Sequence, residues 1–285
     1  MKSMFKRVMF KERNRSIIYS IIGILIGAVF LFPLYWIVVS SLKTDVEIFA
    51  IPQTFFPTKL EWSNYTEQLF GKNNAFRAYI NSTIIALSAM TTSMILGIPA
   101  AYGLARYKIP GKKAIITTFL VTQMLPSSLV LTPLFLTFSK LKLLNTYFAP
   151  IFSVATISIP FIVIILRPIF KTYPIEIEDA AKIDGCNRFS AFFRIVLPMS
   201  KPGIITVASF SFIHGWNDLV YSMTFNNKEI YRPMTATIYN LITEFGTQWN
   251  KVMAYGVLLV LPVVCMFVFL QKYIISGLTN GSVKG

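Results

Sequence analysis

Side chains able to do chemistry are few in this chain and lie far apart in its sequence. His214 is its only histidine, and its two cysteines are Cys186 and Cys265. A zinc site needs His, Cys or carboxylate ligands at close spacing, and these residues do not supply such a cluster. Gly71-Lys72 and Gly111-Lys112 both lack the upstream glycine and the following hydroxyl residue of a phosphate-binding loop. The sequence therefore predicts no metal site and no catalytic residues, which argues against an enzyme, including one that hydrolyses ATP.

The most distinctive polar segment covers residues 178–198 and reads EDAAKIDGCNRFSAFFRIVLP, between two long apolar stretches. Pro174 suits the first turn of a helix, and the acidic residues that follow are favoured there by the helix dipole, so a helix should start near Ile175. Gly185 falls where a left-handed residue is expected to end that helix, and Asn187 can cap a second one. The pattern predicts two short helices hinged at a glycine.

The two predicted helices present different surfaces. The first is acidic and carries Ala180 and Ala181 on a stripe with little side-chain bulk, so another backbone could approach it closely. The second is basic and aromatic, with Phe189, Phe192 and Phe193 at helical spacing. From these residues alone, a docking element for another protein and an amphipathic helix lying in the membrane interface are equally good interpretations.

The composition of the chain is that of a membrane protein. Hydrophobic residues make up 54% of it and charged residues only 14%, whereas a soluble domain has about 25% charged residues. Six apolar stretches approach or exceed the roughly 20 residues that a membrane-spanning helix needs. The predicted spans are about residues 17–40, 79–104, 115–138, 146–167, 203–223 and 252–272. We therefore expect an all-α integral membrane protein with one domain over residues 17–275, a loop at 171–200, and tails at 1–16 and 276–285.

The net charge of +15 is mainly a signal of topology. Lysine and arginine favour the side that holds both termini and the 171–200 loop by roughly two to one, which places that side in the cytoplasm. The basic N-terminus precedes an apolar stretch longer than a signal-peptide core, so this stretch should remain as the first span. No basic patch is interleaved with exposed aromatic residues, and a nucleic-acid partner is not expected.

The polar segment also carries a recognisable signature. The order Asp179-Ala180-Ala181, Gly185 and Ile195-x-Leu197-Pro198 resembles the EAA motif of ABC-importer membrane subunits, Glu-Ala-Ala-x3-Gly-x9-Ile-x-Leu-Pro. Other stretches are similar to the carbohydrate, maltose-type branch of that family, over essentially residues 17–285. They are PLYWIVVSSLKT, AAYGLARYKIPGKK, QMLPSSLVLTPLF, PFIVIILRPIFKTYP, WND at 216–218 and the tail GLTNGSVKG.

This resemblance implies a type I ABC importer permease fold and a role for residues 174–198, here named the coupling segment. In the family this segment is the coupling helix, which enters a cleft of a cytoplasmic ATP-binding subunit. The residues that match the motif are Asp179, Ala180, Ala181, Gly185, Ile195, Leu197 and Pro198. The family's glutamate pairs with an arginine of the ATPase. Asp179 stands at its position with Glu178 beside it, so either carboxylate could be the partner.

The resemblance further implies a set of partners in the bacterial plasma (inner) membrane. These are a second homologous permease, two ATP-binding subunits that hold ATP and Mg²⁺, and an extracellular or periplasmic solute-binding protein that delivers a carbohydrate. This chain itself is expected to hold no cofactor and to be surrounded by lipid. The family's loop that enters the binding protein's cleft corresponds to Thr243, Glu244, Phe245, Gly246 and Thr247.

Two alternatives remain beside a sugar importer. One is an ABC importer permease for another solute, such as a glycerol phosphate. The other is a secondary transporter driven by an ion gradient, which predicts internal repeats with charged pairs at mid-membrane. The sequence shows neither feature, so the ABC permease is the preferred hypothesis.

Polar residues within the spans are candidates for the translocation path, because intramembrane ionisable groups are costly. They are Gln123 in the third span and His214, Trp216, Asn217 and Asp218 in the fifth. On a continuous helix His214, Asn217 and Asp218 share one face, which should meet protein or water. That face could line a sugar path, with Trp216 available for stacking, or hydrogen-bond to a neighbouring permease. For Asp218, near the outer end of the span, a capping role fits as well as a pathway role.

Overall fold

The computed structural model describes residues 2–71, 74–243 and 246–279, with side chains for 17–71, 74–242 and 246–273. Most of this part of the chain is helical, which confirms the predicted all-α class. Two-residue strands β1 (Ile242–Thr243) and β2 (Gly246–Thr247) form an antiparallel pair. The helices are α1 (Lys2–Ser41), α2 (Asp45–Ile48), α3 (Ser63–Phe70), α4 (Ala75–Arg106), α5 (Lys112–Met124), α6 (Ser127–Lys140), α7 (Phe148–Thr172), α8 (Glu176–Ile183), α9 (Arg188–Ala191), α10 (Leu197–Met199), α11 (Lys201–Trp216), α12 (Val220–Phe225), α13 (Met234–Thr237) and α14 (Trp249–Thr279).

The described residues form two compact units. The first contains residues 2–71 with the described part of 241–258, and the second contains 74–240 with 259–279. Within the first unit, Asn64 of α3 is buried and donates from Nδ2 to the carbonyl oxygens of Ser41 and Lys43 at 2.9 and 3.1 Å. These two bonds hold α3 against the C-terminal end of α1.

The core of the second unit lies where α4 packs along α7 and α11. One face of α4 is built from small residues, and such residues let membrane helices approach closely. They are Ala78, Ser82, Ala86, Ala89, Ser93, Gly97 and Ala101. A Cβ atom added to Gly215 of α11 would lie 2.7 Å from Cα of Ala86, so these two backbones are in direct contact.

Among the described residues, four helices are individually long and apolar enough to cross a membrane: Ile17–Ser41 within α1, Ala75–Arg106, Phe148–Thr172 and Trp249–Tyr273. The number rises to six if each of two bent helix pairs counts as one span. One pair is α5 with α6, and the other joins Arg188–Met199 to α11 at an angle of 80°. Within the described residues, the predicted count of six therefore requires that each bent pair forms one span.

The third predicted span, 115–138, breaks at Pro126. Helices α5 and α6 meet there at an angle of 104°. Proline has no N–H to donate and disfavours the helical conformation of the residue before it. Leu125 accordingly adopts an extended conformation with ψ of 129°.

The fifth predicted span, 203–223, ends early as a helix. Helix α11 stops at Trp216, and after a short connection α12 begins at Val220. Asp218 accepts hydrogen bonds from the N–H groups of Tyr221 and Ser222, at 3.1 and 3.0 Å. A carboxylate that caps a new helix in this way competes with continuation of the old one.

The coupling segment has the predicted form. Helix α8 begins at Glu176, one residue after the expected start. Gly185 has φ of +87° and ends the helical turn, and Oδ1 of Asn187 caps α9 by accepting the N–H of Ser190 at 2.7 Å. The second helix differs in one respect, since Phe192–Val196 forms a π-helical turn between α9 and α10.

Candidate functional site

The coupling segment presents an exposed surface that carries both charged and large apolar side chains. Ile183 is 88% exposed and Phe189 is 75% exposed, although both are large hydrophobic side chains on a polar segment. Asp179, Ala180 and Gly185 are exposed as well. We name these five residues the coupling surface. Contiguous apolar groups rimmed by charge are typical of protein interaction sites.

The two adjacent carboxylates of α8 have different environments. Glu178 is 6% exposed, and its carboxylate lies 2.6 Å from Nε of Arg106. Asp179 is exposed and, in the part of the chain that the structure describes, its ion pair is with Lys182 of its own helix, at 2.7 Å. The two carboxylates therefore differ in this structure, because Glu178 is engaged inside this chain and Asp179 is accessible from outside it.

The turn at Gly185 is a Schellman motif. The N–H of Cys186 donates to the carbonyl of Ala181 at 2.9 Å, and the N–H of Gly185 donates to the carbonyl of Lys182 at 3.1 Å. The motif requires a left-handed residue at the glycine position. It fixes the angle between α8 and the chain that leads into α9, and therefore the shape of the coupling surface.

The remaining motif residues divide by exposure. Ala181 is 4% exposed, and Ile195 and Leu197 are half-buried, with Leu197 packed against the core of the second unit. Pro198 is exposed within α10. Leu197 thus seats the coupling segment on the core and Ala181 is buried, whereas Asp179, Ala180 and Gly185 are exposed.

Sequence reasoning did not single out Tyr102 and Arg106, which lie in the last turns of α4. The hydroxyl of Tyr102 donates to Oε2 of Glu178 at 2.6 Å, beside the ion pair with Arg106. Their spacing of i and i+4 puts both on one face of α4. A signal was present in Arg106, the charged residue that ends this long apolar helix, but its partner in α8 could not be predicted from the sequence.

Two of the intramembrane polar residues have partners inside the second unit. Nε2 of Gln123 donates to the carbonyl of Ile157 at 2.9 Å and ties α5 to α7. Trp216 is 1% exposed, and its Nε1 donates to the carbonyl of Leu259 at 3.0 Å. Both side chains serve packing in this structure, and Trp216 offers no free face for stacking.

The predicted polar face of the fifth span is wrong in its geometry, because α11 ends before Asn217 and Asp218. His214, Asn217 and Asp218 nevertheless reach one cavity of about 250 Å³. Asp218 also accepts a bond from the hydroxyl of Ser222 at 2.7 Å, so its carboxylate is largely occupied by capping α12. Nδ1 of His214 is buried and has no hydrogen-bond partner among the described residues.

The cavity brings together four elements of the second unit. Its other lining residues are Ser127, Val154, Ile157, Ile213, Leu219, Val220 and Tyr221. It is therefore an apolar pocket with a few polar groups, which is the usual make-up of a small-molecule site. Its volume falls just below the roughly 300–1,000 Å³ of drug-sized pockets.

The proposed contact with a binding protein lies at the β1–β2 hairpin. Ile242 pairs with Thr247 and Thr243 pairs with Gly246. Gly246 has φ of +120°, a conformation that side chains disfavour. Glu244 and Phe245 lie outside the described residues.

Comparison with known proteins places the chain in a family. Residues 93–280 match the sequence model of a protein family described as the binding-protein-dependent transport system inner membrane component. The sulfoquinovosyl glycerol transport system permease protein SmoH of Agrobacterium fabrum is 32% identical over 90% of this chain and 89% of that protein. The trehalose transport system permease protein SugB of Mycobacterium tuberculosis is 30% identical over 95% of this chain and 99% of that protein. The diacetylchitobiose uptake system permease protein DasC of Streptomyces coelicolor is 29% identical over 89% and 92% of the two chains.

Solved structures show the same fold. A chain of a bacterial ABC transporter that imports alginate matches with a TM-score of 0.78 at 22% identity, covering 92% of this chain and 97% of that chain. A chain of the MetNI methionine ABC transporter matches with a TM-score of 0.55 at 15% identity, covering 71% and 95%. The type I permease fold is therefore confirmed. The chain belongs to the inner membrane components of binding-protein-dependent transport systems and is a permease subunit of an ABC importer.

Proposed function

We propose that this permease imports a carbohydrate as one of two homologous membrane subunits, driven by two cytoplasmic ATPase subunits that hold ATP and Mg²⁺. The observation that carries the coupling role is the outward-facing surface of Asp179, Ile183 and Phe189 on a segment seated against the membrane helices. The named relatives that act on sulfoquinovosyl glycerol, trehalose and diacetylchitobiose support a sugar as the solute.

The proposed orientation places the coupling segment and both termini in the cytoplasm. The roughly two-to-one excess of lysine and arginine on that side supports it. The β1–β2 hairpin then faces outward, where residues 243–247 meet the solute-binding protein. His214 and Asn217 contact the passing sugar from the cavity wall, while Gln123, Trp216 and Asp218 hold that wall in shape.

A neutral sugar fits the cavity better than a phosphorylated solute. Its lining contains His214 and Asp218 but neither lysine nor arginine among the residues that the structure describes. Phosphate groups are usually bound by such cations or by a helix N-terminus. The N-terminus of α12 lies at this cavity, but the Asp218 carboxylate already caps it. A buried carboxylate would instead repel phosphate groups.

Capture of the tagged chain from membranes of the organism that encodes it tests this proposal. We expect a second permease and an ATPase subunit to co-purify, and the ATP hydrolysis of the reconstituted complex to be stimulated by a binding protein loaded with sugar. Binding of a cytoplasmic ATPase also tests the orientation of the coupling segment. A chain that purifies alone and transports its solute with an ion gradient would contradict the proposal.

Replacing His214 or Asn217 with alanine is expected to weaken sugar recognition in the reconstituted complex. Loss of one hydrogen bond of about 0.5–1.5 kcal/mol corresponds to a roughly two- to tenfold rise in the half-saturating concentration of sugar-loaded binding protein. The amount of assembled complex should stay unchanged. Trp216→Phe is the comparison variant, since it removes a buried bond away from the cavity and should lower the amount of complex for every sugar. If His214→Ala and Asn217→Ala behave like Trp216→Phe, they do not line the path.

A further inference from the structure

A buried polar cluster joins the coupling segment to the end of the second span. Nε of Arg106 lies 2.6 Å from Oε1 of Glu178, and the two side chains are 10% and 7% exposed. The hydroxyl of Tyr102 donates to the other carboxylate oxygen, also at 2.6 Å. We name Tyr102, Arg106 and Glu178 the joint.

Two further contacts hold the joint in place, one with a residue before Glu178 in the chain and one with a residue after it. Nη2 of Arg106 donates to the carbonyl of Tyr173 at 3.0 Å, just before the coupling segment begins. The ring of Tyr102 packs against Phe192 of the second coupling helix, with centroids 4.6 Å apart. The last turns of α4 therefore contact the start of the coupling segment, its acidic helix and its aromatic helix at one place.

Helix α8 has no second polar attachment of this kind. Within the described part of the chain, Glu178 is its only side chain that forms an ion pair or a hydrogen bond with a membrane-spanning helix. Its other ion pair, between Asp179 and Lys182, stays within α8 and is exposed. A force applied to α8 therefore reaches the second span mainly through Glu178 and the apolar contacts around it.

We propose that the joint makes α8 and the C-terminal end of α4 move as one rigid body, so that a displacement of α8 by the ATPase is passed to the second span. This inference rests on the coupling role proposed above. Parting Arg106 from Glu178 would leave each buried charge without an opposite charge beside it, and neutral hydrogen bonds from Tyr102 and to Tyr173 would not replace that charge, which is strongly unfavourable. The joint therefore resists opening, and a pull on α8 displaces α4.

The packing of α4 carries the displacement onward. Gly215 of α11 touches the backbone of Ala86, and a Cβ atom at Gly97 of α4 would meet Ile162 of α7 at 2.9 Å. Contacts this close leave little room for independent sliding, because packed interiors deform poorly. Gly215 follows His214 directly, so the cavity wall lies at the end of this path.

Pulsed electron spin resonance on the full complex tests the joint directly. Spin labels are placed on cysteines that replace the exposed Glu176 and Lys108, in a background with Cys186→Ser and Cys265→Ser. We expect one distance peak that stays in place between the nucleotide-free and ATP-trapped complexes. In the Glu178→Gln background the peak should broaden or shift between the two states. A peak that shifts while the joint is intact overturns the proposal.

Transport per ATP hydrolysed gives an independent measurement. Glu178→Gln keeps the shape of the side chain but removes the negative charge beside Arg106, and we expect this ratio to fall on the order of tenfold in complexes that contain the ATPase. Arg106→Lys with Glu178 intact should keep part of the ratio, because the positive charge beside the carboxylate is kept. Glu176→Gln is the matched control on an exposed carboxylate of the same helix, and its ratio should equal that of the wild type.

The outcomes separate this inference from the proposed function. A Glu178→Gln complex that assembles and keeps the wild-type ratio overturns the joint but leaves ATP-driven import intact. If Glu178→Gln does not assemble, Tyr102→Phe removes only one hydroxyl donor, and an unchanged ratio in that variant likewise overturns the joint. Absence of any ATPase from the wild-type complex would instead contradict the proposed function.

Discussion

Replacing Gly185 with valine is expected to abolish transport while the protein still reaches the membrane. The residue has φ of +87°, and a side chain in such a conformation costs about 1–3 kcal/mol, with β-branched residues among the worst. The strain would open the Schellman turn and release the bond between Cys186 and Ala181. Transport by the reconstituted complex should fall on the order of tenfold or more, and binding of the ATPase should weaken with it.

Two further variants show whether the loss of transport is specific to a strained side chain at Gly185. Gly185→Asn should keep most of the transport, since asparagine tolerates the left-handed conformation. Gly111→Val places the same strain at a glycine with φ of +71° outside the coupling segment, and it should not change transport per assembled complex. If the Gly185→Val variant transports and binds the ATPase normally, the turn at Gly185 is not needed for coupling.

Asp179→Ala is expected to release the ATPase subunits from the permease. An exposed ion pair contributes about 0–1 kcal/mol, but a pair that becomes buried on docking costs about 2–5 kcal/mol when one partner is truncated. The affinity for the ATPase, measured by titration onto the permease in nanodiscs, should therefore drop by about 30-fold or more. Asp179→Glu should retain transport, because the family's motif has glutamate at this position.

Comparison with two neighbouring carboxylates shows whether the effect belongs to Asp179. Glu176→Ala removes an exposed charge from the same helix and should leave the affinity close to that of the wild type. Glu178→Ala should weaken binding less than Asp179→Ala, since the Glu178 side chain faces Arg106 inside this chain. A larger effect of Glu178→Ala on affinity would reassign the contact with the ATPase to Glu178.

The local form of the coupling segment could be predicted because its signals lie within a few residues of their effects. Gly185 ends α8 and Asn187 caps α9 as their types indicate. The orientation of Glu178 could not be predicted, because it depends on Arg106 in another helix. Two adjacent acids look alike in sequence until tertiary packing buries one of them.

The broken spans show a different limit. Hydropathy reports whether a stretch is apolar enough for the membrane, but not whether its helix is continuous. Pro126 was a visible reason for the break between α5 and α6. The end of α11 was harder to predict, since Asp218 could equally have continued the helix, and only its bonds to Tyr221 and Ser222 identify it as a cap.

The exposure of Ile183 and Phe189 also bears on how the transporter is produced. Before the ATPase binds, these two large apolar side chains are 88% and 75% exposed to water on the cytoplasmic side of the proposed topology. Exposed apolar groups of this size are a liability for aggregation. A permease synthesised in excess of its ATPase would leave these two apolar side chains exposed. Balanced synthesis of the two subunits therefore limits aggregation of the permease as well as supplying both parts of the complex.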